Sequence, residues 1–237
     1  MTRQESHHQS THSIDSFRST RNLCIMSFYV RILFIAFFLE QSYAVMIHFP
    51  RPLSGLVYWN YYQLLKACVT TTISLSFTPM IAPTPFYIAL PTSLIFSASL
   101  ALFAWAAVTT RPGKFAVIFG RVTPSHVVST GPFAYVRHPT YASYALGWIA
   151  TVLVVLHDSC EAGLGDVRWI PGLPRSIGVL AAVLALFWTY YRGAMLEESQ
   201  FLEQRDNVQG QKVREDIRIE YLSYMRRVPY RWLPGVA

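Results

Sequence analysis

Residues 86–108 read FYIALPTSLIFSASLALFAWAAV and contain no Asp, Glu, Lys or Arg. About 20 apolar residues in a helix cross the hydrocarbon core of a bilayer, so this stretch predicts a transmembrane helix. The composition agrees, because 52% of the 237 residues are hydrophobic and only 14% are charged, against about 25% charged in soluble domains. These values argue against a water-soluble globule and against extensive disorder. The sequence therefore predicts an all-α, polytopic membrane helical bundle with a cytoplasmic C-terminal helical segment.

Four further apolar segments surround this helix. They are residues 23–49, 56–77, 139–156 and 175–191. The first contains Arg31 and Glu40 and the second contains Lys66, charges that are costly at the bilayer centre. Two counts stay open, five spans or four spans with one early segment at the interface. The predicted organisation is a disordered polar tail at 1–22, N-terminal membrane segments at 23–85 and a core at 86–237.

The loop 109–138 lies between two apolar segments and is basic. Its Lys and Arg residues are Arg111, Lys114, Arg121 and Arg137. By the positive-inside rule this loop is cytoplasmic, and the tail from Arg192 onward must lie on the same side because 139–191 reads as a helical hairpin. The net charge of +7 then requires no nucleic-acid partner. Cys24, Cys68 and Cys160 share no metal-ligand spacing, so we expect free thiols and no metal site.

Two elements at the cytoplasmic ends of the hairpin contain chemically versatile residues. The first is Gly131-Pro-Phe-Ala-Tyr-Val-Arg-His-Pro-Thr-Tyr141 and the second is Arg192-Gly-Ala-Met-Leu-Glu-Glu198. Pro139 suits the first turn of a helix, whose free amides, with Arg137 and His138, favour an anionic group. Each element alone is also compatible with an ordinary interfacial anchor or a solvated charged turn. Together they predict a pocket of converging cations and carboxylates that fits a small zwitterionic cofactor.

These motifs resemble the isoprenylcysteine carboxyl methyltransferase family. The resemblance rests on Arg-His-Pro-x-Tyr before one span, Glu-Glu after the next, and the stretch 220–229, and it covers roughly residues 86–237. Three motifs in the right order are far more specific than any one of them. The resemblance implies that 86–237 is a methyltransferase core with a cofactor pocket.

The resemblance also implies S-adenosylmethionine as the methyl donor and assigns residues to its pocket. These are Ser125, His126, Val127, Val128, Phe133, His138, Pro139, Thr140, Tyr141, Glu197 and Glu198. The implied acceptor is the C-terminal carboxylate of a prenylated cysteine in a protein or peptide, whose lipid chain enters from the bilayer. The implied location is the endoplasmic reticulum membrane.

The reaction itself suits these residue types. Methyl transfer from a sulfonium to a carboxylate is an in-line displacement, and the carboxylate is already ionised at neutral pH. A general base or a metal is therefore not needed, and positioning of the two reactants in a dry pocket is what matters. Arg137 or Arg192 is expected to orient the acceptor carboxylate through a bidentate pair.

Three departures from the family pattern accompany the match. Ser143 stands where the family usually has Gly, and Phe133 stands where it usually has Tyr. An insertion within 199–220, which contains Asn207 to Lys212, is expected to be a polar loop.

Three alternative functions remain open. A phospholipid N-methyltransferase uses a related membrane scaffold with an amine acceptor, and the stretch 228–235 also resembles the end of NADPH-dependent sterol reductases. The third alternative is an inactive membrane adaptor derived from such an enzyme.

Overall fold

The computed structural model describes residues 28–43, 59–77, 84–110, 126–164, 172–202 and 211–232. Within these ranges the regular secondary structure is helical and no strand occurs, which confirms the all-α prediction. The helices are α1 (28–43), α2 (Trp59–Phe77), α3 (Phe86–Thr110), α4 (Pro139–Leu164), α5 (Gly172–Leu202) and α6 (Gln211–Arg227), with a short 3-10 helix at Gly131–Ala134.

Three of the described helices are long and apolar enough to cross a membrane. The candidate spans are Phe86–Thr110, Pro139–His157 and Ser176–Leu202. They match the three later apolar segments of the sequence and support an integral membrane protein. The total of four or five spans stays a prediction.

Helix α4 is the centre of the packing. It lies along α3 on one side and along α5 on the other, and α5 also packs against α2. Since α4 and α5 form a hairpin, the first turn of α4 lies beside the last turns of α5. This arrangement brings the two chemically versatile elements of the sequence together.

Aromatic rings attach α1 to this core. The ring of Phe37 lies 5.0 Å from Trp148 on α4, edge to face, and 5.7 Å from Phe96 on α3. Edge-to-face pairs at such distances add to the stabilisation from buried area. Phe37 reaches α4 at Gly147, where an added Cβ would stand 2.5 Å from ring atoms of Phe37. The absence of a side chain at 147 therefore permits the close contact between α1 and α4.

The predicted loop at 199–220 is wrong for part of its length. Residues 199–202 belong to α5 and 211–220 belong to α6, while 203–210 lie outside the described residues. Ile217, Tyr221 and Tyr224 recur at helical spacing and pack with Phe201, whose ring stacks on Tyr221 at 4.2 Å. This apolar face explains why the chain is helical here.

Several other sequence predictions meet the structure only in part. Helix α4 is longer than the predicted apolar segment 139–156, because it continues through Asp158 and Glu161 to Leu164. Cys68 is a free thiol, as expected. Outside the described residues lie the tail 1–22, Cys24, Arg111, Lys114, Arg121 and Ser125, and the side chain of Cys160 is outside them as well.

We expect Gly147→Ala to destabilise the protein by about 1–3 kcal/mol, the usual cost of overpacking a filled core. The added methyl group overlaps the buried ring of Phe37. Thermal unfolding in detergent measures the effect. Gly178→Ala is the matched control, because its Cβ would lie 3.3 Å from a flexible Leu75 methyl group. Equal unfolding temperatures for the two variants would contradict the proposed packing.

Candidate active site between α4 and α5

His138 lies between two carboxylates at the start of α4. Its Nε2 is 3.1 Å from Oε1 of Glu198, and its Nδ1 is 3.4 Å from Oε2 of Glu197. Carboxylate oxygens only accept hydrogen bonds, so both contacts favour a doubly protonated ring. Burial acts to lower the pKa of His138, but hydrogen bonds and negative charge from Glu197 and Glu198 outweigh it and raise the pKa above 6.5. The surroundings of His138 thus favour its protonated form.

Glu198 is bound by three cationic side chains from two parts of the chain. Besides His138, the guanidinium of Arg137 lies 3.6 Å from its Oε1, and Arg231 donates from Nε and Nη2 at 3.2 and 3.3 Å. The Glu198 side chain is only 5% exposed. A buried carboxylate is tolerated when its charge and its lone pairs are compensated, as they are here. Glu198 therefore joins α4, α5 and the segment after α6.

Glu197 is the more accessible of the two carboxylates. Its side chain is 17% exposed, and its Oε1 accepts a hydrogen bond from the Tyr141 hydroxyl at 2.6 Å. The Tyr141 ring in turn stacks on His138 and on Tyr190, with centroids 5.5 and 5.7 Å apart, and approaches Trp232 at 6.5 Å. The site is a charged cluster walled on one side by aromatic rings.

The segment that follows α6 covers this cluster. The backbone amides of Arg137 and His138 donate to the carbonyls of Tyr230 and Arg231, both at 2.9 Å. The Arg137 guanidinium also donates to the Pro229 carbonyl at 3.2 Å. These bonds satisfy backbone groups that the start of α4 leaves without helical partners, and they fix Arg231 next to Glu198.

Most of the predicted site residues come together. Arg137, His138, Tyr141, Glu197 and Glu198 form the cluster, with Pro139 and Thr140 between them in the first turn of α4. The carbonyl of Phe133 accepts a hydrogen bond from the Tyr224 hydroxyl at 2.8 Å. That bond ties the turn before α4 to α6.

Residues 126–128, which precede Gly131, lie beside α6 and not in the cluster around His138. Val127 packs with Tyr221, Tyr224 and Val228 under the chain end, rather than against His138. His126 and Val128 are half-buried beside it. Ser125 lies outside the described residues.

Arg192 faces α2. Its Nη2 donates to the hydroxyl of Tyr61 at 3.3 Å, and its guanidinium carbon lies 5.7 Å from the centre of the Tyr61 ring. The Nε of Arg192 is buried without a hydrogen-bond partner in the described part of the chain. Arg192 therefore retains an unused donor, whereas Arg137 is committed to Glu198.

Ser143 is fully buried between α4 and α3. Its hydroxyl donates back to the carbonyl of Thr140 at 2.7 Å, and its own carbonyl accepts from Ser99 of α3 at 2.7 Å. These contacts anchor α3 to α4 next to the cluster. They give the hydroxyl a partner within its own helix.

Sequence reasoning missed Arg231, Trp232, Tyr190 and Tyr61. Arg231 is visible in the sequence as a basic residue among aromatic and proline residues. Its ion pair with Glu198 could not be predicted, because the two residues are far apart in sequence. Tyr190 precedes Arg192 by two residues and faces α4, and Tyr61 belongs to the N-terminal region to which only hydrophobicity had been assigned. Among the described residues, no group of three His, Cys, Asp or Glu is placed to hold a metal ion.

The fold and this cluster define a helical membrane protein with a buried, charge-compensated site at one end of a two-helix hairpin. Residues 89–165 match the sequence profile of the isoprenylcysteine carboxyl methyltransferase (ICMT) family. The match confirms the resemblance for α3, the turn that follows it and α4, and it ends before Glu197 and Glu198. No curated protein and no solved structure matches the chain.

The raised pKa of His138 predicts a pH-dependent stability. Its contribution is fully present below the unfolded-state pKa of about 6.5 and is lost as the pH rises through the higher folded-state pKa. We expect the difference in unfolding temperature between wild type and His138→Gln to be largest near pH 6 and to shrink towards alkaline pH. Thermal unfolding from pH 5.5 to 9.5 measures it. A difference that grows with pH would contradict the double protonation of His138.

Proposed function

We propose that the protein transfers a methyl group from S-adenosylmethionine to the C-terminal carboxylate of a prenylated cysteine, forming a methyl ester. The observation that carries this proposal is the convergence of His138 and Tyr141 with Glu197 and Glu198. His138 and Tyr141 lie in the segment that matches a carboxyl methyltransferase family, and the two glutamates lie on the helix that follows it. We further propose that the site lies on the cytoplasmic face of the endoplasmic reticulum membrane, as the basic loop 109–138 and the charged tail suggest.

The chemistry of the site fits the methyl donor. S-adenosylmethionine carries an ammonium group and ribose hydroxyls, which can donate hydrogen bonds to a carboxylate. It also carries an adenine ring, which can stack against aromatic side chains. Glu197 is the carboxylate with exposed area, and the half-buried Trp232 provides a ring face beside Tyr141. When bound, the donor supplies a methyl group on a positively charged sulfur.

Glu198 is then a positioning residue more than a direct ligand. Its oxygens already form ion pairs with Arg137, His138 and Arg231. It holds His138, which holds Glu197 in place from the other ring nitrogen. We therefore assign the cofactor contact to Glu197 and Tyr141 first, with Glu198 fixing their geometry.

Arg192 is the better candidate for the acceptor carboxylate. Arg137 is paired with Glu198 and with the Pro229 carbonyl, so its charge is already compensated. Arg192 has a buried Nε with no partner in the described part of the chain, and Tyr61 steadies its guanidinium. A guanidinium presents two parallel donors to a carboxylate and so fixes its direction.

The residues of the site act by orientation and by exclusion of water. An ionised carboxylate attacks a methyl carbon directly, so no side chain needs to remove a proton. Arg192 guides the carboxylate, and the aromatic rings keep the pocket dry. A dry pocket also removes the hydration shell that slows a charged nucleophile. The lipid chain of the acceptor remains in the bilayer beside the helices.

The first test is ligand binding to the detergent-purified protein by calorimetry, with S-adenosylmethionine and NADPH as parallel ligands. We expect saturable binding of S-adenosylmethionine, no binding of NADPH, and methyl transfer to a farnesylated cysteine analogue. Binding of NADPH alone would favour the reductase alternative. Binding of neither ligand by folded protein would favour the inactive adaptor, and methylation of a phospholipid amine alone would favour the N-methyltransferase.

Variants of the glutamate pair separate structure from function. Glu198→Ala leaves Arg137 and Arg231 without their buried counter-ion, so we expect it to destabilise the fold by about 3–5 kcal/mol. Glu197→Gln keeps the volume and is expected to weaken S-adenosylmethionine binding at least tenfold with little change in unfolding temperature. Calorimetry and thermal unfolding measure both. Unchanged affinity in Glu197→Gln would remove Glu197 from the cofactor site.

Arg192→Ala is expected to raise the KM for the acceptor at least tenfold and to change the KM for S-adenosylmethionine by less than threefold. The reason is that a guanidinium–carboxylate pair contributes mainly to acceptor binding. Steady-state kinetics with each substrate varied in turn measure the two constants. Arg226→Ala, an exposed arginine on α6, is the control. Equal effects on both constants would contradict the assigned role of Arg192.

A further inference from the structure

A second carboxylate is buried in the helix bundle without any compensation. Glu40 on α1 is 8% exposed, and neither of its carboxylate oxygens has a hydrogen-bond partner in the described part of the chain. Its neighbour Gln41 is 1% exposed and its side-chain amide nitrogen is likewise without a partner. Leaving such groups unpaired is costly, so their presence together indicates a partner outside the described part of the chain.

Tyrosines of α4 and α5 connect this pair to the bundle core. The Tyr190 hydroxyl donates to the Gln41 carbonyl oxygen at 3.3 Å and accepts from the Trp148 indole at 3.1 Å. The Tyr190 ring lies 5.6 Å from the Tyr144 ring. Glu40 directly precedes Gln41 on α1 and is buried as well.

The same tyrosine reaches the candidate active site. Tyr190 stacks on Tyr141, whose hydroxyl binds Glu197. The pair on α1 and the cluster around His138 are thus joined by a continuous series of side-chain contacts. The rings of Tyr190 and Tyr141 lie between Gln41 and Glu197 in this series.

The side chains around Glu40 favour a positively charged ligand. Burial disfavours the ionised form of Glu40, and a bound cation would stabilise that form whereas an anion would not. An ammonium or sulfonium ion is attracted by the carboxylate and by the faces of aromatic rings. In a membrane protein, an ionisable side chain among the helices marks such a site by default.

We propose that Glu40, Gln41, Tyr144 and Tyr190 form a site for an organic cation, an ammonium or a sulfonium group. Helix α1 would thereby contribute to ligand binding as well as to packing. Two sources share this chemistry, the methyl donor, which carries both groups, and an amine acceptor. The choice between these sources rests on the proposed function, whereas the site itself does not.

The first experiment tests the site without the methyl donor. Tetramethylammonium is titrated into the full-length protein in detergent, and the thermal unfolding temperature is followed for wild type, Glu40→Gln and the control Glu215→Gln. Glu215 is 44% exposed and pairs only weakly with Arg218 on its own helix. We expect tetramethylammonium to stabilise wild type and the control, and its half-saturating concentration to rise at least tenfold in Glu40→Gln.

Stability of the free protein separates this role from a structural one. Glu40→Gln replaces an uncompensated buried carboxylate by a neutral group of the same shape, so the ligand-free variant should unfold at the same temperature as wild type or higher. A lower unfolding temperature with unchanged tetramethylammonium binding would make Glu40 structural and overturn the proposal. Absence of tetramethylammonium binding to wild type would overturn it as well.

Calorimetry then identifies the source of the cation. If Glu40→Gln weakens S-adenosylmethionine more than S-adenosylhomocysteine, the site holds the sulfonium, and if both weaken equally it holds the ammonium of the donor. If neither changes but the KM for a phospholipid amine rises, the cation belongs to an acceptor. A wild type that binds tetramethylammonium but not S-adenosylmethionine would reject the proposed function and keep the cation site.

Discussion

The buried carboxylate of Glu198 is the constraint on which the candidate site depends. It can remain charged at 5% exposure only because Arg137, His138 and Arg231 surround it. Arg137 and His138 precede α4, Glu198 is near the end of α5, and Arg231 follows α6. Removing any one partner takes away a cation that compensates the buried carboxylate. Glu198 therefore links the start of α4, the end of α5 and the segment that contains Arg231.

Hydropathy was sufficient to predict the all-α fold and the three later spans, because bilayer thickness constrains a local property of the sequence. The meeting of His138 with Glu198 was also predictable, since a hairpin must return to the side it left. Arg231 and Tyr61 were not, because their contacts depend on how distant segments fold back. The helical spacing of Ile217, Tyr221 and Tyr224 was visible in the sequence, and the polar composition around it led to the wrong prediction of a loop.

The three carboxylates of the bundle differ in how completely they are compensated. Glu198 receives three cationic side chains, Glu197 receives His138 and the Tyr141 hydroxyl and keeps exposed area, and Glu40 has no hydrogen-bond partner in the described part of the chain. From sequence alone, Glu40 was only a costly charge in an apolar segment. In the structure Glu40 directly precedes Gln41, which accepts a hydrogen bond from Tyr190. Tyr190 stacks on Tyr141, whose hydroxyl donates to Glu197. The number of partners that each carboxylate already has therefore decreases from Glu198 to Glu40, which leaves Glu40 with the most unused acceptor positions.

The proposed reaction explains why the three carboxylates would differ in how completely they are compensated. A sulfonium cation and a carboxylate anion react to give a neutral thioether and a neutral ester, so both charges disappear along the reaction path. A medium that solvates ions poorly raises the energy of the reactants more than that of the less polar transition state. Bringing two opposite charges into such a medium requires a partner for each. Arg192 provides an unused cationic donor, and Glu40 provides a carboxyl group without a hydrogen-bond partner in the described part of the chain. The cations around Glu198 are already paired with carboxylates and stay in place.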